Sequence, residues 1–222
     1  MNCLQQAQAY QDRAREFFGE NRNPSPQKPE DLNLSQRLCI FLYSASQLAP
    51  ICLKLTPICL FFLLFYPYTK RFTFLCHYFL GVALAMAPAG GYIAVTGELP
   101  FGIILLSGGV CLWIGSFDVI YGSQDRQFDL DHKLHSMATQ FGVANAHKIA
   151  AFFHFISILC FIGAGIYFDL SFIYYIGVLI AILTLIYQHS LITPYDFSRL
   201  TQVYFMRNGI VSIVIFVFTL ID

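Results

Sequence analysis

Long apolar runs separated by short polar stretches dominate the chain from about residue 34 onward. A helix that crosses the hydrocarbon core of a bilayer needs about 20 mostly apolar residues. The runs that meet or approach this length predict seven membrane-spanning helices: Leu34–Leu53, Thr56–Tyr68, Phe72–Val95, Phe101–Tyr121, His147–Tyr167, Ser171–Tyr187 and Val203–Ile221. The second run is short, so we expect that helix to tilt or to lie partly in the interface. The pattern predicts an all-α, polytopic transmembrane helix bundle.

The first 33 residues differ in character from the rest. They are polar, and Arg13, Arg15, Arg22 and Lys28 are mixed with acids, so no basic start precedes an apolar core as in a signal peptide. We therefore divide the chain into a polar N-terminal segment, residues 1–33, and a transmembrane helical domain, residues 34–222.

Composition supports a lipid environment. The chain is 57% hydrophobic and 12% charged, whereas a soluble domain is about a quarter charged. The formal net charge is zero, which argues against a nucleic-acid partner because no basic face is available to neutralise phosphates. The seven cysteines show no metal-ligand spacing and are interpreted as small apolar side chains.

The connectors between the predicted helices alternate in charge. Three are short and carry one cation in total: Lys54-Leu55, Thr96–Pro100 and Phe168–Leu170. The others are Thr69–Arg71, Gly122–Ala146 and Gln188–Gln202, and together they carry the five cations Lys70, Arg71, Arg126, Lys133 and Arg199. Because cationic loops favour the cytoplasmic side, we expect the second set to face the cytoplasm.

The last turn of the fourth predicted helix and the segment after it carry acids at helical spacing. Their polar residues at positions i, i+3, i+7 and i+11 are Asp118, Tyr121, Asp125 and Asp129. This spacing places them within roughly 80° of one another on a helix. Stacked carboxylates repel each other, and Mg²⁺ prefers a few carboxylates together with phosphate oxygens and water. We therefore predict a magnesium ion that bridges these acids to a diphosphate; a solvated acidic loop is the alternative.

A second acidic pattern lies near the start of the chain. Asp12, Glu16 and Glu20 are four residues apart and would share one side of a helix. Acids at this spacing are also common on solvent-facing helices, so the pattern by itself favours a solvated helix.

Two cationic helix ends complete the candidate chemistry. Lys70 and Arg71 follow an apolar run that ends near Tyr66, where they either bind an anionic head group or anchor the helix at the interface. Arg207 and Asn208 occur early in the last predicted helix. They are interpreted either as a snorkelling arginine or as a polar pair that faces a cavity.

Together these motifs resemble the UbiA-type intramembrane prenyltransferases along almost the whole chain. Asp118–Ser136 resembles the second Asp-rich motif of that family, and Tyr66 with Lys70 resembles its YxxxK motif. The stretches Tyr187–Leu191, Asp196–Arg199 and Phe205–Ser212 resemble the bacterial branch of 4-hydroxybenzoate and menaquinone-route dihydroxynaphthoate prenyltransferases.

The first family motif has the form N-x-x-x-D-x-x-x-D-x-x-N-P. Aligned without gaps, Asp12 falls on its first Asn, Glu16 and Glu20 on its acids, and Asn23-Pro24 on its Asn-Pro. Both acids are one methylene longer than in the family, which shifts where a metal would sit. The family has nine helices, with this motif at the end of the second. We therefore expect about seven spanning helices, with the first helix and most of the second missing.

The resemblance implies Mg²⁺-dependent transfer of a polyprenyl group from polyprenyl diphosphate to 4-hydroxybenzoate or a dihydroxynaphthoate in ubiquinone or menaquinone biosynthesis. The catalytic residues that it implies are Asp118, Tyr121, Asp125, Asp129, Tyr66 and Lys70. The metal ligands that it implies are Asp125, Asp129, Asp118, Glu16, Glu20 and Asp12. The substrate contacts that it implies are Lys70, Arg71, Arg126, Lys133, Ser136 and Asn208. The expected location is the bacterial inner membrane, with the active site facing the cytoplasm.

Two other functions fit parts of the pattern. An inactive or truncated relative would explain the altered first motif. A transporter would place carboxylates near the middle of the bilayer, whereas here they cluster at one helix end. The sequence determines neither the acceptor, the prenyl chain length nor the oligomeric state.

Overall fold

A computed structural model of the chain describes residues 34–47, 50–191 and 200–222, with the backbone alone for residue 34 and residues 200–207. The described residues fall into two units that divide between Tyr43 and Ser44, and every contact below lies within the second. The helices are α1 Leu34–Ser46, α2 Pro50–Phe65, α3 Cys76–Thr96, α4 Phe101–Gly122, α5 Arg126–Asp131, α6 Met137–Phe141, α7 Val143–Tyr167, α8 Phe172–Leu191 and α9 Leu200–Ile221. Two 3₁₀ segments, Tyr66–Arg71 and Ser123–Asp125, follow α2 and α4. The described residues contain no strand, and the all-α prediction is confirmed.

The boundary between the first two predicted helices was wrong. α1 ends at Ser46 and α2 begins at Pro50, so the predicted connector Lys54-Leu55 lies inside α2. Proline suits the first helical turn because its missing N–H would have no intrahelical partner there. Lys54 therefore lies inside a helix. It does not belong to a short connector, as the comparison of connector charges assumed. The predicted connectors Thr69–Arg71 and Gly122–Ala146 are also largely helical.

Five helical segments are long and apolar enough to cross a membrane. They are Pro50–Arg71, Cys76–Thr96, Phe101–Asp131, Val143–Tyr167 and Phe172–Leu191. α9 contributes a shorter apolar stretch, Asn208–Ile221. α1 has 13 residues, fewer than the roughly 20 that a span needs. The predicted membrane helix bundle is thus supported, and five of its seven main helices satisfy the requirement, α2 together with the 3₁₀ segment that follows it.

Two buried clusters hold the helices together. The larger joins α4, α7, α8 and α9 through Trp113, Ile158, Phe161, Tyr174, Val178, Ala181, Leu185 and Val211. The smaller joins α4, α6 and α7 through Val119, Ile120, Met137, Ala138, Ala146 and Ala150. Since α4 supplies residues to both clusters, it is the helix around which the candidate site is built.

A glycine permits the close approach of α3 and α4. A Cβ atom at Gly81 would collide with the backbone carbonyl of Cys111 on α4. Backbone atoms cannot move aside as a flexible side chain can, so only glycine allows this helix separation. The packing fixes α3, and with it the start of that helix at Cys76, against the acidic end of α4.

Asp222 tethers the end of α9 to the start of α8. Its carboxylate accepts hydrogen bonds from the Ser171 hydroxyl, from the Ser171 amide at 2.9 Å and from the Tyr174 amide at 3.2 Å. The bonds from Ser171 hold the pKa of Asp222 below its ordinary value. The two helices are therefore antiparallel.

Candidate active site

The acidic segment continues as a helix beyond α4, but its winding changes. The 3₁₀ turn Ser123–Asp125 separates α4 from α5. A 3₁₀ helix turns by about 120° per residue instead of about 100°, so the acids rotate out of register. Asp118 is half-buried, Asp125 is exposed and Asp129 is completely buried. The single acidic face expected from the spacing is thus divided among three environments.

Asp129 forms an ion pair with Lys70. Lys70 Nζ lies 2.9 Å from Asp129 Oδ1, and the Lys70 side chain is 30% exposed. The other oxygen, Asp129 Oδ2, is buried and has no hydrogen-bond partner among the described residues. The pair brings Lys70 of the predicted YxxxK motif into contact with Asp129 of the second acidic motif. It leaves one carboxylate oxygen without a donor.

Backbone contacts hold the loop after α5 on the 3₁₀ segment that contains Lys70. The amide of His135 donates to the carbonyl of Lys70 at 2.7 Å. The Cys76 thiol at the start of α3 donates to the carbonyl of His135 at 3.5 Å. Lys133 adopts a left-handed backbone conformation with φ 55°, which turns the chain between α5 and this anchor. The relative position of the two predicted motifs is thus fixed by backbone and side-chain bonds.

A cationic cavity adjoins this junction. It has a volume of about 400 Å³ and is lined by Arg71, Phe128, His132, Lys133 and Leu134. Arg71 and Lys133 were both predicted to contact an anionic substrate, and the structure places them around one space. Both side chains are exposed, so water solvates them until an anion binds. The cavity has the charge and the size to receive phosphate oxygens.

Asp118 has a buried partner that the sequence analysis missed. His77, in the first turn of α3, places Nδ1 2.8 Å from Asp118 Oδ2, and its side chain is 3% exposed. A Cβ atom at Gly122 would lie 2.7 Å from the Cε1 atom of this ring, so glycine there makes room for the imidazole. His77 Nε2 is buried without a partner in the described part of the chain. A histidine within an apolar run was the available sequence signal.

The remaining predicted residues occupy varied positions. Ser136 is buried and caps α6, because its hydroxyl accepts from the Thr139 amide at 3.2 Å. Arg126 Nε donates to the carbonyl of Ala138 at 3.0 Å, which ties α5 to α6. Tyr66 and Tyr121 are half-buried. For Ser136 and Arg126 the structure shows a supporting role, and their contact with substrate stays a prediction.

A layer of polar side chains lies deeper in the bundle. Gly177 on α8 faces Phe218 on α9, where a Cβ would meet the phenylalanine Cβ at 2.6 Å. Continuing this antiparallel register brings Gln188 level with Asn208. The amide nitrogen and oxygen of both side chains are buried without partners among the described residues, as is Trp113 Nε1. Only Asn208 was predicted here. A glutamine near the end of an apolar run was the signal for Gln188.

A magnesium ion held by the acidic motifs stays a prediction. Among the described residues, no group of three or more His, Cys, Asp or Glu side chains is arranged to hold a metal ion. Asp12, Glu16 and Glu20, the predicted opposing ligands, lie outside the described residues. Within the described part, the exposed Asp125 and the unpartnered oxygen of Asp129 are oxygen donors of the kind that Mg²⁺ accepts alongside phosphate.

Comparison with known proteins decides the family. A sequence model of the UbiA prenyltransferase family matches residues 37–210. The chain belongs to the UbiA prenyltransferase family. Several similar curated proteins are named 4-hydroxybenzoate octaprenyltransferase. The one from Shewanella piezotolerans is 30% identical over 82% of this chain and 66% of its own, and the one from Nitrosospira multiformis is 30% identical over 77% and 58%.

A solved structure supports the assignment. The apo structure of a UbiA homolog from Aeropyrum pernix K1 superposes with a TM-score of 0.72 at 27% identity, and the match covers 83% of this chain and 68% of that one. This UbiA family member therefore shares the family fold over most of its length. It spans between about half and two thirds of the length of three of the curated relatives that it matches.

Proposed function

We propose that this UbiA family member transfers a polyprenyl group from its diphosphate to an aromatic acceptor. The observation that carries the proposal is the ion pair of Lys70 with Asp129. Here the YxxxK motif meets the second Asp-rich motif beside a cavity lined by Arg71 and Lys133. The names of the curated relatives favour 4-hydroxybenzoate as the acceptor. A dihydroxynaphthoate is the second candidate acceptor that the sequence motifs suggest.

In this mechanism Arg71 and Lys133 bind oxygens of the diphosphate. As the allylic carbon–oxygen bond breaks, its electron pair stays on the diphosphate, and cations placed nearby stabilise the growing charge. The Lys70 ammonium is only 30% exposed and lies against Asp129. This contact holds it in one position and limits the reorganisation needed when the anion arrives.

Divalent magnesium, when bound, supplies further positive charge to the leaving diphosphate. Asp125 and the Oδ2 atom of Asp129 are the described atoms that would hold it. Glu16, Glu20 and Asp12 are the proposed ligands from the other side. Asp118 is engaged by His77 through one oxygen, so its proposed part is smaller than that of the other two.

The acceptor ring captures the prenyl carbon beside a hydroxyl, and the ring carbon then loses its proton to an oxygen of the released diphosphate. Tyr66 and Tyr121 are proposed to orient the ring or to stabilise the allylic cation through their π faces. The apolar helices exclude water that would otherwise quench the cation. The Lys/Arg bias of the connectors favours a site that faces the cytoplasm of a bacterial inner membrane.

An inactive relative that binds the diphosphate without turnover is the second candidate function. It is favoured by the 3₁₀ turn Ser123–Asp125, after which Asp118, Asp125 and Asp129 lie in three different environments and do not share one face. The two functions share the anion site, so the same variants test both. They differ in turnover, so a comparison of binding with product formation distinguishes them.

The test uses purified chain in lipid, Mg²⁺, a labelled polyprenyl diphosphate and either acceptor. Lys133→Gln removes a cation from the cavity, and Lys148→Gln is the matched control because Lys148 is an exposed lysine on α7 outside it. Asp125→Asn is paired in the same way with Asp131→Asn, another exposed acid. We expect product from the parent and from both controls, and at least tenfold less from the two site variants.

A parallel measurement of diphosphate binding separates the candidates. Binding that Lys133→Gln weakens, without product from any acceptor, would identify the non-catalytic relative. Product formation that is unaffected by Lys133→Gln and Asp125→Asn would refute the proposed site.

A further inference from the structure

Two histidines form a hydrogen-bonded pair inside the membrane-spanning part of the bundle. His154 on α7 places Nδ1 2.8 Å from His189 Nε2 on α8, and His154 Nε2 lies 3.1 Å from the carbonyl oxygen of Trp113 on α4. His154 is 3% exposed. Ionisable side chains within membrane spans are costly and mark functional sites by default. The proposed transfer reaction uses neither histidine.

The contacts determine which ring nitrogens carry protons. Because a carbonyl oxygen only accepts, His154 Nε2 must donate to Trp113. In an uncharged ring, His154 Nδ1 then accepts, and His189 Nε2 must donate to it. A charged imidazole is disfavoured here because the site is apolar. The chain of donors ends at His189 Nδ1, which is left as an acceptor.

The pair closes one end of an apolar groove between α7 and α8. The groove has a volume of about 480 Å³, and apart from the two histidines its lining is entirely aliphatic or aromatic. Phe155, Leu159 and Ile186 on its rim are 61%, 49% and 62% exposed. Both helices are long and apolar enough to span a membrane, so we infer that this rim faces lipid. α7 packs extensively on α4 and only slightly on α8, which leaves the groove open.

The groove runs away from the acidic end of α4. His154 contacts Trp113, five residues before Asp118, which places the pair about 7.5 Å deeper than Asp118. The lining continues from His154 to Ile162 on α7, a further distance of about 12 Å. The site therefore suits a molecule with a small polar head at the histidines and an extended hydrocarbon tail.

We propose that this groove binds an isoprenoid phenol, with its hydroxyl donating to the histidine pair and its chain lying along α7 and α8. The acceptor at His189 calls for a donor in the ligand head, which lipid acyl chains lack. The choice of a phenol rests on the proposed function, because that reaction produces a prenylated phenol. The groove is thus a second, lipid-facing site for product-like molecules, separate from the cationic cavity.

The experiment measures binding of tritiated 2-geranylphenol to the whole chain in phosphatidylcholine nanodiscs, with empty nanodiscs as the partition background. The methyl ether of the same compound lacks the donor. We expect saturable binding of the phenol at one site per chain, about tenfold tighter than that of the ether.

Two tryptophan substitutions on α8 give a matched comparison. Ile186→Trp fills the groove rim, whereas Leu183→Trp adds the same bulk at a position that is also lipid-exposed, 57%, but lies outside the lining. We expect Ile186→Trp to abolish saturable binding and Leu183→Trp to retain it. Because both side chains face lipid, neither substitution is expected to unfold the chain. His189→Phe should remove the preference for the phenol over the ether.

Equal affinity for phenol and ether, or equal binding by the two tryptophan variants, would show that the groove holds only bulk lipid and would overturn the inference. Full competition by polyprenyl diphosphate would place the phenol in the cationic cavity and would also overturn it. Turnover without saturable phenol binding would sink this inference and leave the proposed function standing. Saturable phenol binding without turnover would support this inference and refute the proposed function.

Discussion

Replacing Lys70 with methionine tests the ion pair that joins the two halves of the candidate site. Lys70→Met retains most of the side-chain stem and removes the ammonium 2.9 Å from Asp129 Oδ1. Because Asp129 is completely buried, its carboxylate is left without that compensation. Removing one member of a buried pair costs about 3–5 kcal/mol. Lys70 is 30% exposed, so water enters in part, and we expect about 3 kcal/mol, the low end of that range.

Thermal unfolding in detergent, followed by far-UV circular dichroism, measures this loss. For a chain of this length, 1 kcal/mol moves the Tm by about 2–4 °C, so the expected fall is about 6–12 °C. Lys148→Met is the control, since it removes an exposed ammonium from α7. The double variant Lys70→Met/Asp129→Leu should recover more than half of the loss, because it leaves no buried charge. A fall of less than about 2 °C, or a double variant as unstable as the single one, would refute the reasoning.

Three further predictions follow from the contacts. Gly81→Ala should destabilise the chain by about 1–3 kcal/mol because its methyl group collides with the α4 backbone. The control Gly108→Ala, whose methyl group meets nothing within 4 Å, should be neutral or stabilising, and equal Tm values for the two variants would contradict the packing. The pKa of Asp222 is lowered by folding, so its stabilisation is present above the unfolded value and lost as the pH falls through the folded one. The Tm difference between the parent and Asp222→Asn should therefore shrink from about pH 6 to about pH 3, and a constant difference would argue against the tether. His77→Leu should lower the rate of prenyl transfer about tenfold by releasing Asp118, with recovery in His77→Gln, and an unchanged rate would show that this hydrogen bond has no part in the reaction.

The helices were predictable because each is a local consequence of composition. Apolar runs of sufficient length leave the backbone no hydrogen-bond partners in lipid other than its own. Five such runs became spanning segments in the predicted order. The error at Lys54 arose because a lysine was interpreted as the end of a run, whereas Pro50 marked the actual helix start. A single cation near a helix end is tolerated in a span because its stem can snorkel.

The sequence predicted which residues belong to the candidate site better than it predicted which of them pair. The structure places Lys70 against Asp129, and Arg71 beside the same cavity as Lys133. The sequence predicted these residues from motifs far apart in the chain, without predicting that they meet. The spacing of Asp118 and Asp129 suggested one shared face, but a single 3₁₀ turn rotates them apart. Local spacing assumes uniform winding, and nothing in the acids themselves signals that change.

By itself, the sequence determined that the chain is a membrane helix bundle with an acidic and a cationic helix end, because hydrophobic length and charge are properties of the residues along one segment. Only the tertiary structure decided that His77 holds Asp118, that Gly177 faces Phe218, and that His154 meets His189. Each of these relations joins two helices. Such a relation depends on the distance and the register between the two helices. Small residues such as Gly81 and Gly177, which belong to none of the motifs, control that distance and register.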